Sequence, residues 1–126
     1  MNRIILVDDD TISTFLLSSL LEHLGMGHVH AKFINGAEFL EWLDSQQEDG
    51  ARYVVFLDIM MPVMDGWEVM ERLERNRLAR RISVVMVSSS LDPTDRKRAI
   101  AHGMVLDYIT KPVRAKELER LGTFME

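Results

Sequence analysis

An open sheet of five parallel strands with helices on both faces, the α/β class, is the architecture this sequence predicts, and three observations carry it. Five short apolar, β-branched runs alternate with longer stretches of helical periodicity. The run Tyr53 to Leu57 is apolar at every position, so it needs cover on both faces, as strands of a parallel sheet do. At 126 residues the chain has the length of one domain, and with no cysteine it must fold on its core alone. Strands that alternate with helices imply right-handed crossovers and a parallel sheet.

The elements follow in order. The first strand is Arg3 to Val7, and its helix runs from about Thr11 to Leu24, with Ile12, Phe15, Leu16, Leu20 and Leu24 at spacings of three and four as its expected inner face. Gly25 and Gly27 stop it. Val29, Ala31 and Phe33 alternate as a second strand at the sheet edge, and Asn35 opens a helix with Phe39, Leu40 and Leu43 on one face. Tyr53 to Leu57 is the third strand, followed by a loop and a helix from about Gly66 to Asn76. The fourth strand is Ile82 to Val87, after which Asp92 as N-cap and Pro93 as first helical residue start a helix. Leu106 to Ile109 is the fifth strand, and an amphipathic piece from Val113 closes the chain.

Composition bounds the function. At 47% hydrophobic and 28% charged the chain is built like a globular protein, and a formal charge of −5 argues against a nucleic-acid-binding surface, which needs clustered Lys and Arg. No run is long enough to cross a membrane and the N-terminus is no signal peptide, so the expected location is cytoplasmic.

The chemistry-bearing residues stand where strands end. Asp8, Asp9 and Asp10 follow the first strand, Asp58 the third, Ser88 the fourth and Lys111-Pro112 the fifth. In a parallel sheet these ends share one edge, where α/β proteins place their sites. Asp10 or Thr11 is the natural cap of the first helix. Asp8 and Asp9 are adjacent carboxylates that resist burial unless a cation lies between them. Three carboxylates, a hydroxyl and an ammonium are the groups that a hard divalent cation such as Mg²⁺ and a phosphoryl group require.

With these residues in view, the chain resembles the receiver domains of two-component response regulators over essentially its whole length. The matching pieces are Leu6-Val7-Asp8-Asp9-Asp10, Leu57-Asp58-Ile59-Met60-Met61-Pro62-Val63-Met64-Asp65-Gly66, Val87-Ser88-Ser89 and Tyr108-Ile109-Thr110-Lys111-Pro112. The resemblance implies a flavodoxin-like sheet of order 2-1-3-4-5 and a single receiver domain over 1–126 with no output domain. It implies that Asp58 accepts a phosphoryl group, that Asp8, Asp9, Asp58 and the Met60 carbonyl hold Mg²⁺, and that Ser88 and Lys111 contact the phosphoryl oxygens. Ser88 and Tyr108 would form the switch, with Tyr108 moving inward. The implied phosphodonor is a sensor histidine kinase or a histidine phosphotransfer protein, and the output is contact with a downstream protein target. Two positions depart from the family pattern: Val113 replaces the common Phe and Ser88 the usual Thr.

An alternative reading takes Asp8 and Asp10 as the Asp-x-Asp pair of a haloacid-dehalogenase-like phosphatase, which leaves the Asp58 segment unexplained. Two surface features complete the reading. Arg72 to Arg98 holds eight basic residues against three acidic ones, read either as a solvated face or as a docking face for an acidic partner. Met60, Met61 and Met64 are read either as an adaptable docking surface or as loop packing.

Overall fold

The computed structural model describes residues 2–125, with side chains through 122. Met1 and Glu126, the ends of the expected 1–126 domain, lie outside the described residues. The strands are β1 (Asn2–Val7), β2 (Val29–Phe33), β3 (Arg52–Asp58), β4 (Ile82–Ser88) and β5 (Val105–Thr110). The helices are α1 (Thr11–His23), α2 (Gly36–Asp44), α3 (Gly66–Glu74), α4 (Pro93–Ala101) and α5 (Ala115–Met125). All neighbouring strands pair in parallel, in the order β2-β1-β3-β4-β5. This is the flavodoxin-like order, whose switch of direction falls between β1 and β3.

Alternation along the strands splits the core in two. Ile5, Val7, Val55, Leu57, Val84 and Met86 face Phe39 and Leu43 of α2, Val69 and Leu73 of α3 and Ala99 of α4. Ile4, Leu6, Val54, Phe56, Val85 and Ile109 face Leu17 and Leu21 of α1 and Leu118 and Leu121 of α5. The three inner strands therefore bury both sets of side chains, as their unbroken apolar runs require. In β2 only alternate residues are half-buried, with His30 and Lys32 outward, which suits an edge strand.

The inner face expected for α1 is corrected in part: Leu20 and Leu24 pack against the core as expected, whereas Ile12, Phe15 and Leu16 do not. Ile12, Phe15 and Leu16 are 71%, 63% and 60% exposed, while Thr14, Leu17 and Leu21 are buried. Both sets recur at spacings of three and four on a helix whose apolar residues spread over more than half its circumference, so periodicity could not choose between them. Burying Thr14 is tolerated because its hydroxyl donates to the Thr11 carbonyl at 3.1 Å. The helix stop is as expected. Gly25 takes φ +70°, and the amides of Met26 and Gly25 donate to the carbonyls of Leu21 and Glu22, closing a Schellman motif.

Candidate functional site

β3 and β4 each run one residue beyond their apolar stretches, so Asp58 and Ser88 are the last residues of their strands. Register then aligns the edge. Asp58 pairs with Val87, Ser88 pairs with Thr110, and Lys111 follows directly. The Lys111 amide donates to the Ser88 carbonyl at 2.9 Å, and the Lys111-Pro112 peptide is cis.

The first strand delivers Asp8, whose amide donates to the Phe33 carbonyl at 3.0 Å. Asp8 is 7% exposed and Asp58 4%. Lys111 Nζ bridges them, 2.8 Å from Asp8 Oδ2 and 3.3 Å from Asp58 Oδ2. The remaining oxygens are held by the backbone: Asp10 N–H donates to Asp8 Oδ1 at 2.9 Å and Met60 N–H to Asp58 Oδ1 at 3.1 Å. Asp9 is exposed at the rim, and one oxygen each of Asp8, Asp9 and Asp58 lies within 4.8 Å of the others. That donor set suits a hard divalent cation.

Burial and the neighbouring charge of Asp8 push the Asp58 carboxyl up to about 6, with Lys111 working against them. Burial opposes the charge on Lys111, yet its hydrogen bond to Asp8 and the two nearby carboxylates outweigh that and raise its pKa. The ammonium therefore stays charged, while the carboxyl beside it keeps its proton to a higher pH than an ordinary carboxyl does.

The loop from Asp58 to α3 is tightly wound over the site. Gly66 N–H donates to the Ile59 carbonyl at 2.9 Å, and a Cβ on Gly66 would lie 2.7 Å from the Asp58 carbonyl oxygen. Only glycine permits this approach. Asp65 caps α3 through a reciprocal box with Glu68. Val63, fully exposed, holds φ +69°, a strained conformation for a β-branched residue.

Of the residues singled out from the sequence, Asp8, Asp9, Asp58 and Lys111 converge, and Met60 contributes its amide while its side chain is 57% exposed. Ser88 is fully buried, its Oγ accepting from Ser90 N–H at 3.1 Å. Tyr108 is 3% exposed, and its hydroxyl donates to the Ser90 carbonyl at 3.4 Å. Asp10 is the N-cap of α1, accepting from the amides of Ile12 and Ser13, which resolves the choice between Asp10 and Thr11. The phosphatase alternative built on Asp8 and Asp10 thus has one of its carboxylates committed to a helix end.

The structure also places residues of the two surface features. Met61 is 7% exposed and packs in the core, leaving Met60 as the outward member. Of the basic stretch, Arg77 donates to the Asp44 carbonyl and Arg98 lies over the Trp67 ring. Sequence reasoning does not single out Ser90, Asp95 or Trp67, which the structure links to Ser88. For Ser90 and Asp95 the only signal is their nearness to Ser88 along the chain. A cavity of about 450 Å³ also opens beside the site, lined by Leu16, Leu20, Phe56 and Val113 together with Asp58 and Lys111.

A parallel sheet of order 2-1-3-4-5 with a buried carboxylate, an acidic pair and a lysine at its carboxyl edge defines a flavodoxin-like protein with its charged site at that edge. The response regulator receiver domain model matches residues 4–121. The chain belongs to this family, and its role is that of a signalling phosphoacceptor domain. Protein PilH of Pseudomonas aeruginosa is 30% identical over 94% of this chain and 92% of its own length. Two-component response regulator ARR12 of Arabidopsis thaliana is 32% identical over 94% of this chain but only 19% of its own length. The chain thus spans about a fifth of that relative. A two-component response regulator from Cytophaga hutchinsonii superposes with a TM-score of 0.85 at 27% identity, covering 99% of this chain and 96% of the other. The family match lends no support to the phosphatase alternative.

Proposed function

We propose that Asp58 is the phosphoacceptor and that a phosphohistidine on a sensor histidine kinase or a histidine phosphotransfer protein is its donor. The observation that carries this is the burial of Asp58 at 4% exposure within 3.3 Å of a lysine and inside a carboxylate triad. In the reaction an Asp58 carboxylate oxygen attacks phosphorus, an O–P bond forms, and the P–N bond breaks with its electron pair leaving on the donor imidazole. Lys111 meets the charge on the phosphoryl oxygens, and the amide of Met60 holds Asp58 in place.

Asp8, Asp9, Asp58 and the Met60 carbonyl would hold Mg²⁺, which supplies neutralisation of phosphoryl charge. Their donor chemistry fits, because carboxylate and carbonyl oxygens are the ligands this ion takes. Asp8 also orients Lys111 through its 2.8 Å contact. Ser88 and Tyr108 form the switch: Ser88 offers a hydroxyl to the phosphoryl group, and Tyr108, from β5, holds the loop that follows Ser88 through the Ser90 carbonyl. The output is contact with a downstream protein target, in the cytoplasm, without direct nucleic-acid binding or membrane insertion.

The test is intact mass after incubation with a small-molecule phosphodonor, for wild type and Asp58→Asn, with Mg²⁺ or with chelator. One phosphoryl mass on the wild type with Mg²⁺ alone is expected. Equal labelling of Asp58→Asn would overturn the assignment.

A further inference from the structure

Ser90, in the loop between β4 and α4, has every polar group engaged. Its N–H donates to Ser88 Oγ at 3.1 Å and its carbonyl accepts from the Tyr108 hydroxyl at 3.4 Å. Its own hydroxyl donates to Asp95 Oδ2 at 2.7 Å and accepts from the Asp92 amide at 3.2 Å. The other oxygen of Asp95 accepts from the indole N–H of Trp67 at 3.2 Å. Trp67 is 9% exposed, lies in the second residue of α3, and carries the Arg98 guanidinium 4.2 Å above its ring.

These contacts make a continuous line from Ser88 through Ser90 and Asp95 to Trp67, crossing from β4 to α4 and then to α3. An acidic residue in a first helical turn needs only the helix dipole to justify it. Asp95 does more, since each of its oxygens holds a donor from a different element, one at the short distance of a charge-assisted bond. The charge of Asp95 also reaches Tyr108, where it adds to burial in raising the phenol pKa. Arg96, the next residue, stands 5.7 Å from the centre of the Tyr108 ring.

We propose that Asp95 is a positioning residue that couples the Ser88 loop to α3 through Trp67, so that a displacement of Ser88 at the site is delivered to the indole. The physical argument is geometric. Ser90 presents its amide to Ser88 and its hydroxyl to Asp95, so the loop cannot follow Ser88 and keep the second contact unchanged. Hydrogen bonds weaken steeply with misalignment, and a part-buried carboxylate that loses a donor is costly, so α4 and the indole must readjust. This rests on the reading of Asp58 as phosphoacceptor and adds to it a route by which the site reaches the α3 and α4 surface.

The experiment follows the Trp67 indole N–H resonance, assigned with Trp67→Phe, during titration with Mg²⁺ and beryllium fluoride as a phosphoryl mimic. Fluorine NMR reports the bound mimic independently. The wild-type indole resonance should shift as the mimic binds, while Ser90→Ala and Asp95→Asn should still bind the mimic and show an indole response several-fold smaller. Before any mimic is added, Asp95→Asn should already move the resonance. A full wild-type response in both variants with the mimic bound, or a wild-type indole that ignores bound mimic, would overturn the coupling alone. Failure of the wild type to bind the mimic or to gain a phosphoryl mass would overturn the phosphoacceptor reading, and the coupling with it.

Discussion

The Lys111 ammonium stands 2.8 Å from Asp8 Oδ2, a shorter approach than its 3.3 Å to Asp58. Asp8 therefore anchors the lysine, and Asp58 meets a cation already fixed in position. Preorganised charge of this kind needs no rearrangement at the moment of phosphoryl transfer. Lys111→Met keeps most of the side-chain stem and removes the ammonium. Phosphorylation of Asp58 from a small donor should then slow by roughly 10²–10³-fold, the scale of losing one charge-stabilising donor. Initial rates of mass gain at a pH above 7, where Asp58 is ionised in the wild type, check this; a variant as fast as wild type would refute it.

The raised Asp58 carboxyl makes stability depend on pH. Its folded value of about 6 lies above its ordinary 3.8, so below the lower value both folded and unfolded chains are protonated and no penalty exists. Between the two, the unfolded chain releases its proton while the folded chain keeps it, and stability falls as pH rises. Above about 6 the loss is complete, on the order of 3 kcal/mol for a shift of this size. Asp58→Asn should therefore be more stable than wild type at pH 7 by up to that amount, with the gain vanishing below pH 4. Denaturant midpoints at the two pH values, in chelator, decide; an equal gain at both would show that titration is not its origin.

Asp9 and Asp10 are neighbours with separate tasks. Asp10 accepts from the Ile12 and Ser13 amides at the start of α1, whereas Asp9 belongs to the carboxylate cluster. Asp10→Ala should lower the unfolding midpoint and leave Mg²⁺ affinity as it was. Asp9→Ala should weaken Mg²⁺ binding and leave the midpoint nearly unchanged. Titrations followed by Trp67 fluorescence, paired with thermal melts, would expose any exchange of these roles.

Gly66 offers a backbone test. A Cβ there would stand 2.7 Å from the Asp58 carbonyl oxygen and 2.8 Å from Ile59 Cα, both main-chain atoms that cannot rotate away. Gly66→Ala should cost about 1–3 kcal/mol or more and slow phosphorylation, because the strand end that moves carries Asp58. Gly103→Ala, where an added Cβ has open space, is the matched control and should be close to neutral. Comparable midpoints for the two variants would contradict the packing around Gly66.

The layers of the fold were legible because unbroken apolar strands such as Tyr53 to Leu57 can only be interior. The convergence of Asp8, Asp58, Ser88 and Lys111 was legible because parallel strands share one carboxyl edge. The orientation of α1 was not, since Ile12, Phe15 and Leu16 repeat with the same period as Thr14, Leu17 and Leu21. Nor was the chain of contacts through Ser90 and Asp95. It depends on where a loop folds back onto α3, a long-range relation between residues 67 and 95 that no local pattern encodes.

The strand order also sets a timetable for synthesis. Asp8 and Asp58 leave the ribosome's catalytic centre well before Lys111, which follows Asp58 by 53 residues. At about 5–20 residues per second that interval is roughly 3–10 s. During it the growing chain holds its carboxylates without the lysine that will bridge them, and β4 waits for the partner that closes its open side. A nascent chain therefore lacks the bridging ammonium of its carboxylate site until the last strand has been made and docked.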